Sequence, residues 1–282
     1  MTESTKKESP IRVNIHSFFI LPFVITAVSV LIFYWIWLIL THEPKTVEDY
    51  LQDVKIGSAS KRWQSAFELS KILSDPDRIP DSDRFVAQML SAFDYAEDDR
   101  DPRVKQYLIR AMGQTRMATF SETVSGCLRD DSEEVVADAV FALGIIGSET
   151  DLDRVIAMTD HRSPLVRNRA AIALGNMGFP QGIPPLQSLL KDPEPNVVWN
   201  SAVALARLGD HSGKRVLLNL LDMNYFDQFR EVDSYERTEA VVVAIDAASQ
   251  LNDSSLDAAI RNLAGADVNM RIRNAALNAS KL

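Results

Sequence analysis

Three stretches of this chain write one pattern at a fixed interval. SEEVVADAVFALGIIG runs from Ser132 to Gly147, SPLVRNRAAIALGNMG from Ser163 to Gly178, and EPNVVWNSAVALARLG from Glu194 to Gly209, each 31 residues after the one before. An earlier copy, DPRVKQYLIRAMGQTR, spans Asp101 to Arg116. Val104, Val135, Val166 and Val197 form one column; Ala111, Ala142, Ala173 and Ala204 form a second; Met112, Leu143, Leu174 and Leu205 form a third. Gly113, Gly144 and Gly175 form a fourth, in which the last copy has Ala206 instead. A period of roughly 20 to 50 residues marks a solenoid, because one repeat cannot bury its own apolar face but stacked neighbours can.

Each copy predicts two helices. The first follows an Asp- and Pro-rich turn such as DPEPN, Asp192 to Asn196, and places Val197, Ser201, Ala204 and Leu205 on one face at helical spacing. The second carries Val124, Val155, Leu186 and Leu217 in one column and Cys127, Met158, Leu189 and Leu220 in another. That register makes Cys127, the single cysteine, a small core residue rather than a reactive thiol. Weaker copies flank the clear ones. RWQSAFELSKIL, Arg62 to Leu73, opens the series, with its second helix near Asp83 to Phe93. EAVVVAIDAASQL, Glu239 to Leu251, resumes the pattern after an offset of 43 instead of 31, which puts an insertion at about 223–234. DAAIRNLAG supplies a further second helix, and RIRNAALNAS, Arg271 to Ser280, caps the stack.

The pattern carried by DPEPNVVWNSAVALARLG, SPLVRNRAAIALGNMG and their copies resembles HEAT repeats, in the short bacterial form of the bilin-lyase-like family. The resemblance implies an all-α fold, an α-solenoid of about six helix pairs covering 61–282. It implies adaptor or scaffold work more than catalysis, with chromophore attachment as the alternative, since fold does not determine function. Arg167 stands where the family has an arginine after the first valine; Lys105 takes that place in an earlier copy, while Val136 and Val198 depart from it.

Ahead of the repeats, FFILPFVITAVSVLIFYWIWLIL, Phe18 to Leu40, is 23 residues without a charge. At about 1.5 Å per helical residue this predicts a single transmembrane helix, with Tyr34, Trp35 and Trp37 as an aromatic belt at one end. A signal peptide would have a shorter apolar run and a small-residue cleavage site, where this chain has His42, Glu43 and Pro44. The expected organisation is a tail over 1–17, the span over 18–40, a linker or helix over 41–60, and the solenoid. Lys6, Lys7 and Arg12 in the tail favour a cytoplasmic N-terminus and an extracytoplasmic solenoid in the inner membrane. The net charge is −9 although the tail is slightly basic, so the acidity lies in the body, which argues against nucleic acid as a partner.

Reaction chemistry has little to stand on. His16, His42, His161 and His211 have no metal-ligand spacing, and no nucleophile elbow or phosphate-binding Gly-rich loop occurs. No cofactor is expected. The acidic runs SDPDRIPDSDR, Ser74 to Arg84, and EDDRDP, Glu97 to Pro102, lack EF-hand spacing and read as loops and helix caps.

Two surfaces are candidates for binding a protein partner. One is the inner face lined by the first helices, whose outward positions are expected to include Gln106, Arg110, Phe141, Asn168, Ile172, Trp199 and Val203. Trp199 shares its column with Gln106, Ala137 and Asn168; it is either a packing wedge or an interface anchor. The other is the insertion, MNYFDQFREVDSYE, with Tyr225, Phe226, Phe229 and Tyr235 among acids. Those aromatics either fold back onto the solenoid or meet a partner. The expected function is a membrane-anchored, non-catalytic scaffold.

Overall fold

A computed structural model describes residues 15–41, 45–265 and 269–280, with side chains of the first helix described from 22 to 37. Its contacts divide the chain into two units, 1–46 and 47–282.

The first unit holds α1, Ile15–Thr41. Pro22 lies within it, and the Thr26 hydroxyl donates to the Pro22 carbonyl at 2.8 Å. The expectation of a single-pass membrane protein is corrected here: among the described residues no helix is long and apolar enough to cross a membrane. The side chains of 18–21 and 38–40, and the basic residues behind the expected orientation, lie outside the described residues.

The second unit is an all-α solenoid, with no strand among the described residues. It opens with α2, Val47–Ile56, whose Val47, Leu51 and Val54 are buried. A row of long helices then alternates with a second set that is shorter from α6 to α12: α3 (Ala59–Ile72), α4 (Asp83–Glu97), α5 (Pro102–Gln114), α6 (Ser121–Gly126), α7 (Glu133–Ile146), α8 (Leu152–Ala157), α9 (Pro164–Met177), α10 (Ile183–Leu189), α11 (Pro195–Arg207), α12 (Lys214–Leu220), α13 (Ser234–Ser249), α14 (Ser254–Gly265) and α15 (Met270–Ala279). The long helices α3, α5, α7, α9 and α11 pack side by side in sequence order, and α4, α6, α8, α10 and α12 each also pack on the long helix that follows.

Each column of the repeat has a structural cause. The valines and alanines fill the core: Val104, Ala111, Ala142, Val166 and Ala173 are fully buried. The glycine column lets helices touch, for a Cβ added at Gly113 would lie 2.8 Å from the Ala142 Cα. A further column ends the long helices in the left-handed conformation: Gly147 (φ 70°), Gly178 (φ 76°) and Gly209 (φ 75°), with Arg116 (φ 56°) one period earlier and Asn252 (φ 49°) after the insertion.

The acidic turns are structural. Ser82 caps α4 and Asp101 caps α5 through their side-chain oxygens. Asp99, Asp130 and Asp192 are in register and each accepts the backbone N–H two residues on, at 3.0, 2.9 and 2.9 Å. Each also holds a cation: Arg62 on Asp99 through two hydrogen bonds, Lys105 on Asp130 at 2.6 Å, and Arg167 on Asp192 at 2.7 and 2.9 Å. In the copy where this column reads His161, the Nδ1 atom of His161 takes over the turn and accepts from Ser163 N at 3.1 Å. The basic position of that copy is Val136, so the cation and the carboxylate are missing together.

Candidate functional site

The long-helix row is interrupted once. Helices α11 and α13 touch much less than the preceding pairs do, and the insertion lies between them in sequence. The apolar core divides at the same place. Val197, Ala204 and Leu205 of α11 belong to the core on one side, while Trp199, Ala202, Val203 and Ala206 belong to the core on the other. Ala206 stands in the glycine column; its Cβ is accommodated because the next long helix stands off.

The insertion fills part of this gap. Met223–Gln228 forms a 3-10 turn capped by Asp222, whose side chain accepts from Asn224 N. Phe226 is fully buried. The Trp199 ring meets Tyr225, Phe226 and Phe229 edge to face, with centroids 6.3, 5.7 and 5.2 Å apart. Its indole N–H donates to the Tyr225 hydroxyl at 3.3 Å. Trp199 is therefore 7% exposed and Val203 is buried, which corrects the expectation that both face outward. The insertion's aromatics cover them.

What remains open is a cleft of about 550 Å³ between α11 and α13. Its apolar walls include Trp199, Val203, Phe229 and Val243, with Tyr235, 65% exposed, on the α13 side. Its polar lining is Asn196, Asn200, Glu194, Glu231, Glu236 and Glu239, with no Lys, Arg or His. Glu239 is paired with Arg271, and the Glu236 carboxylate accepts the Asp233 N–H in a capping box at the start of α13. Glu194, Glu231 and Glu236 have no salt-bridge partner among the described residues.

The other sequence candidates sit on earlier long helices and line a different stretch. Arg110 lies over the Tyr107 ring at 5.5 Å and donates to Asp138 at 3.0 Å. Burial pushes the Asp138 carboxyl above its ordinary range, and Arg110 opposes that shift. Phe141 lies under the Arg169 guanidinium at 5.2 Å. The Asn168 side-chain oxygen accepts from Asn200 at 2.7 Å. Each of these links one repeat to another or to its own helix. The structure thus places Trp199, Phe229 and Tyr235 on the lining of one cleft, puts Tyr225 and Phe226 behind it against Trp199, and leaves Arg110, Phe141 and Asn168 outside it. The glutamates and Asn196 were missed as site residues. The signal available for them was the coincidence of the long offset with the switch from Gly to Ala at 206.

Comparison with known proteins bears on the fold. The model of the HEAT repeats family matches residues 90–163 and 152–232, together half of the chain. The solved complex of CpcE and CpcF of phycocyanin lyase from Nostoc sp. PCC7120 is similar, with a TM-score of 0.57 at 18% identity over 86% of this chain and 96% of that one. Escherichia coli YibA gives a TM-score of 0.48 at 18% identity over 86% and 84%. Human deoxyhypusine hydroxylase gives 0.35 at 17% identity over 83% and 84%. No curated protein sequence matches the chain.

Proposed function

The chain belongs to the HEAT-repeat family, and on that premise we propose that it is a non-catalytic scaffold that holds a protein partner at the α11–α13 cleft. One observation carries this reading. Along the earlier long helices the exposed Arg110 is taken up by Asp138, and Asn168 by Asn200, although the Asp138 Oδ2 and Arg169 Nε atoms find no hydrogen-bond partner; the cleft offers aromatic walls and three carboxylates, Glu194, Glu231 and Glu236, without salt-bridge partners among the described residues. At about 550 Å³ it lies within the roughly 300–1,000 Å³ range of binding pockets. Tyr235, exposed on its wall, is the kind of side chain that anchors interfaces.

The test is to crosslink cells carrying the chain with a tag after Leu282, beside a Tyr235→Ala control. Tyr235 makes no core contact that its loss would break, so the control keeps its fold. A stoichiometric partner that is recovered with the wild type and depleted in the control is expected. Recovery of the chain alone would overturn the scaffold reading.

A second reading, handling of a chromophore, is raised by the likeness to a phycocyanin lyase. The cleft's lining speaks against it, because a bilin carries carboxylates and the cleft presents glutamates without a cation. Visible absorbance retained after incubation with a bilin and gel filtration would reverse that order.

A further inference from the structure

We infer that the α11–α13 cleft recognises a basic side chain, Arg or Lys, carried on an extended peptide segment of the partner. The inference rests on the scaffold reading and adds the partner's chemistry. Glu194, Glu231 and Glu236 bring negative charge to one cavity with no Lys, Arg or His in its lining. Arg167 acts on Glu194 and Arg271 pairs with Glu239, so four glutamates face two arginines here, and in a chain of net charge −9 the excess draws a cation in.

The walls narrow the choice of cation. Trp199, Phe229 and Tyr235 line the same cavity, Trp199 by its 7% exposed edge and Tyr235 with the Arg271 guanidinium already 6.0 Å from its ring centroid. An aromatic wall stabilises an organic cation through its π face and shelters an aliphatic stem, which a small hydrated ion does not have. Arg and Lys have both a stem and a charged head. No group of three or more metal-ligating side chains occurs among the described residues, so the carboxylates are not arranged for a metal ion.

Asparagines on the α11 wall complete the match to a peptide. The Asn200 amide nitrogen is already committed to Asn168 and to the Asn196 carbonyl, which leaves its side-chain oxygen as an acceptor. Asn196 is exposed one turn earlier. Amide side chains pair with the N–H and C=O groups of an extended backbone, whereas a free polyamine offers no carbonyl.

The experiment titrates the full-length chain against a fluorescein-labelled, end-capped Gly-Ser-Arg-Arg-Ser-Gly peptide and reads anisotropy. Comparators are the same peptide with Glu-Glu in place of Arg-Arg, and spermidine as competitor. The arginine peptide is expected to bind about tenfold or more tightly than the glutamate peptide, a difference of about 1.4 kcal/mol. That preference is expected to shrink as salt is raised. Glu194→Gln with Glu231→Gln is expected to weaken the arginine peptide several-fold, and Tyr235→Ala to weaken it separately. All three positions lie outside the core, and circular dichroism checks that the helices remain.

Equal affinity for the two peptides, an unchanged Kd in the double variant, or displacement by spermidine at the peptide's own concentration would each overturn the inference. The scaffold reading fails differently. If crosslinking recovers the same partner from wild type and from the Glu194→Gln, Glu231→Gln variant, the scaffold stands and the basic-peptide chemistry falls. If the wild type recovers no partner, the scaffold itself falls.

Discussion

Gly144 and Ala173 meet so closely that a Cβ built on the glycine would lie 2.5 Å from both the Cα and the Cβ of the alanine. The obstacle is backbone, so the two helices must separate to admit a methyl group. Gly144→Ala is therefore expected to cost about 1–3 kcal/mol, the usual range for overpacking. Gly126 is also helical, but a Cβ there meets nothing within 4 Å. Gly126→Ala is expected to stabilise by about 0.4–1 kcal/mol through the unfolded chain. Urea melts of the pair check the contrast; equal effects would show that helix propensity, not contact, sets the glycine column.

Arg116 is the one basic residue in the left-handed column that ends the long helices, at φ 56°. Glycine fills that column in the next three copies. A left-handed conformation costs an ordinary residue about 1–2 kcal/mol. Arg116→Gly is expected to recover part of that, about 1 kcal/mol after the added freedom of the unfolded chain is deducted. A thermal melt that moves downward would refute the expectation.

Asp192 is nearly buried, and the two hydrogen bonds from Arg167 hold its carboxyl below the usual carboxylate range. A depressed folded-state pKa adds stability above the unfolded value of about 3.9, and that stability is lost as pH falls through the folded value. Asp192→Asn is expected to cost about 1.5–3 kcal/mol at neutral pH, as for a hydrogen bond to a charged group, and to flatten the acid limb of the stability curve. Chemical denaturation at a series of pH values reads both. A parallel loss at every pH would assign the effect to packing alone.

Trp199 closes the seam between α11 and the insertion. Trp199→Ala is expected to cost about 3–5 kcal/mol, as for large core truncations. Trp199→Phe keeps part of the ring contacts, loses the bond to Tyr225, and is expected to cost less than the alanine change because it leaves a smaller cavity. Limited proteolysis should cut 223–233 faster in the alanine variant. Unchanged cutting would mean that the insertion is held by contacts other than Trp199.

Cys127 is 4% exposed, and burial pushes its thiol up to about 11. Ellman's reagent is expected to find no thiol in the native chain and one in denaturant. A native reaction would contradict the packing of the α6 end.

Much of the fold is written in the columns. The valine and alanine registers mark α5, α7, α9 and α11 because a stack repeats the same contact every 31 residues, so one residue's environment predicts its partners'. The same logic placed Cys127 in the core. The shorter helices are less legible. Several begin as a 3-10 turn, such as Glu149–Asp151 before α8, and a single turn has no apolar period to read. The candidate site is legible only in part. The insertion's length and aromatics showed, but whether they cover Trp199 depends on how far α13 stands from α11, a distance that no local pattern encodes. The pairing of Arg167 with Asp192 lay in the sequence too, since the copy without the cation also lacks the aspartate.

The division of the apolar core at α11 has a mechanical side. A stack with one continuous core stretches as a single spring, while a stack whose side-chain contacts part at one helix behaves as two springs in series. Tension applied between the ends should open the joint between α11 and α13 before any other, and should do so without unwinding either helix. Pulling single molecules would then record a soft, reversible extension ahead of the first rupture. A rigid trace up to that rupture would show that the aromatic wedge locks the joint.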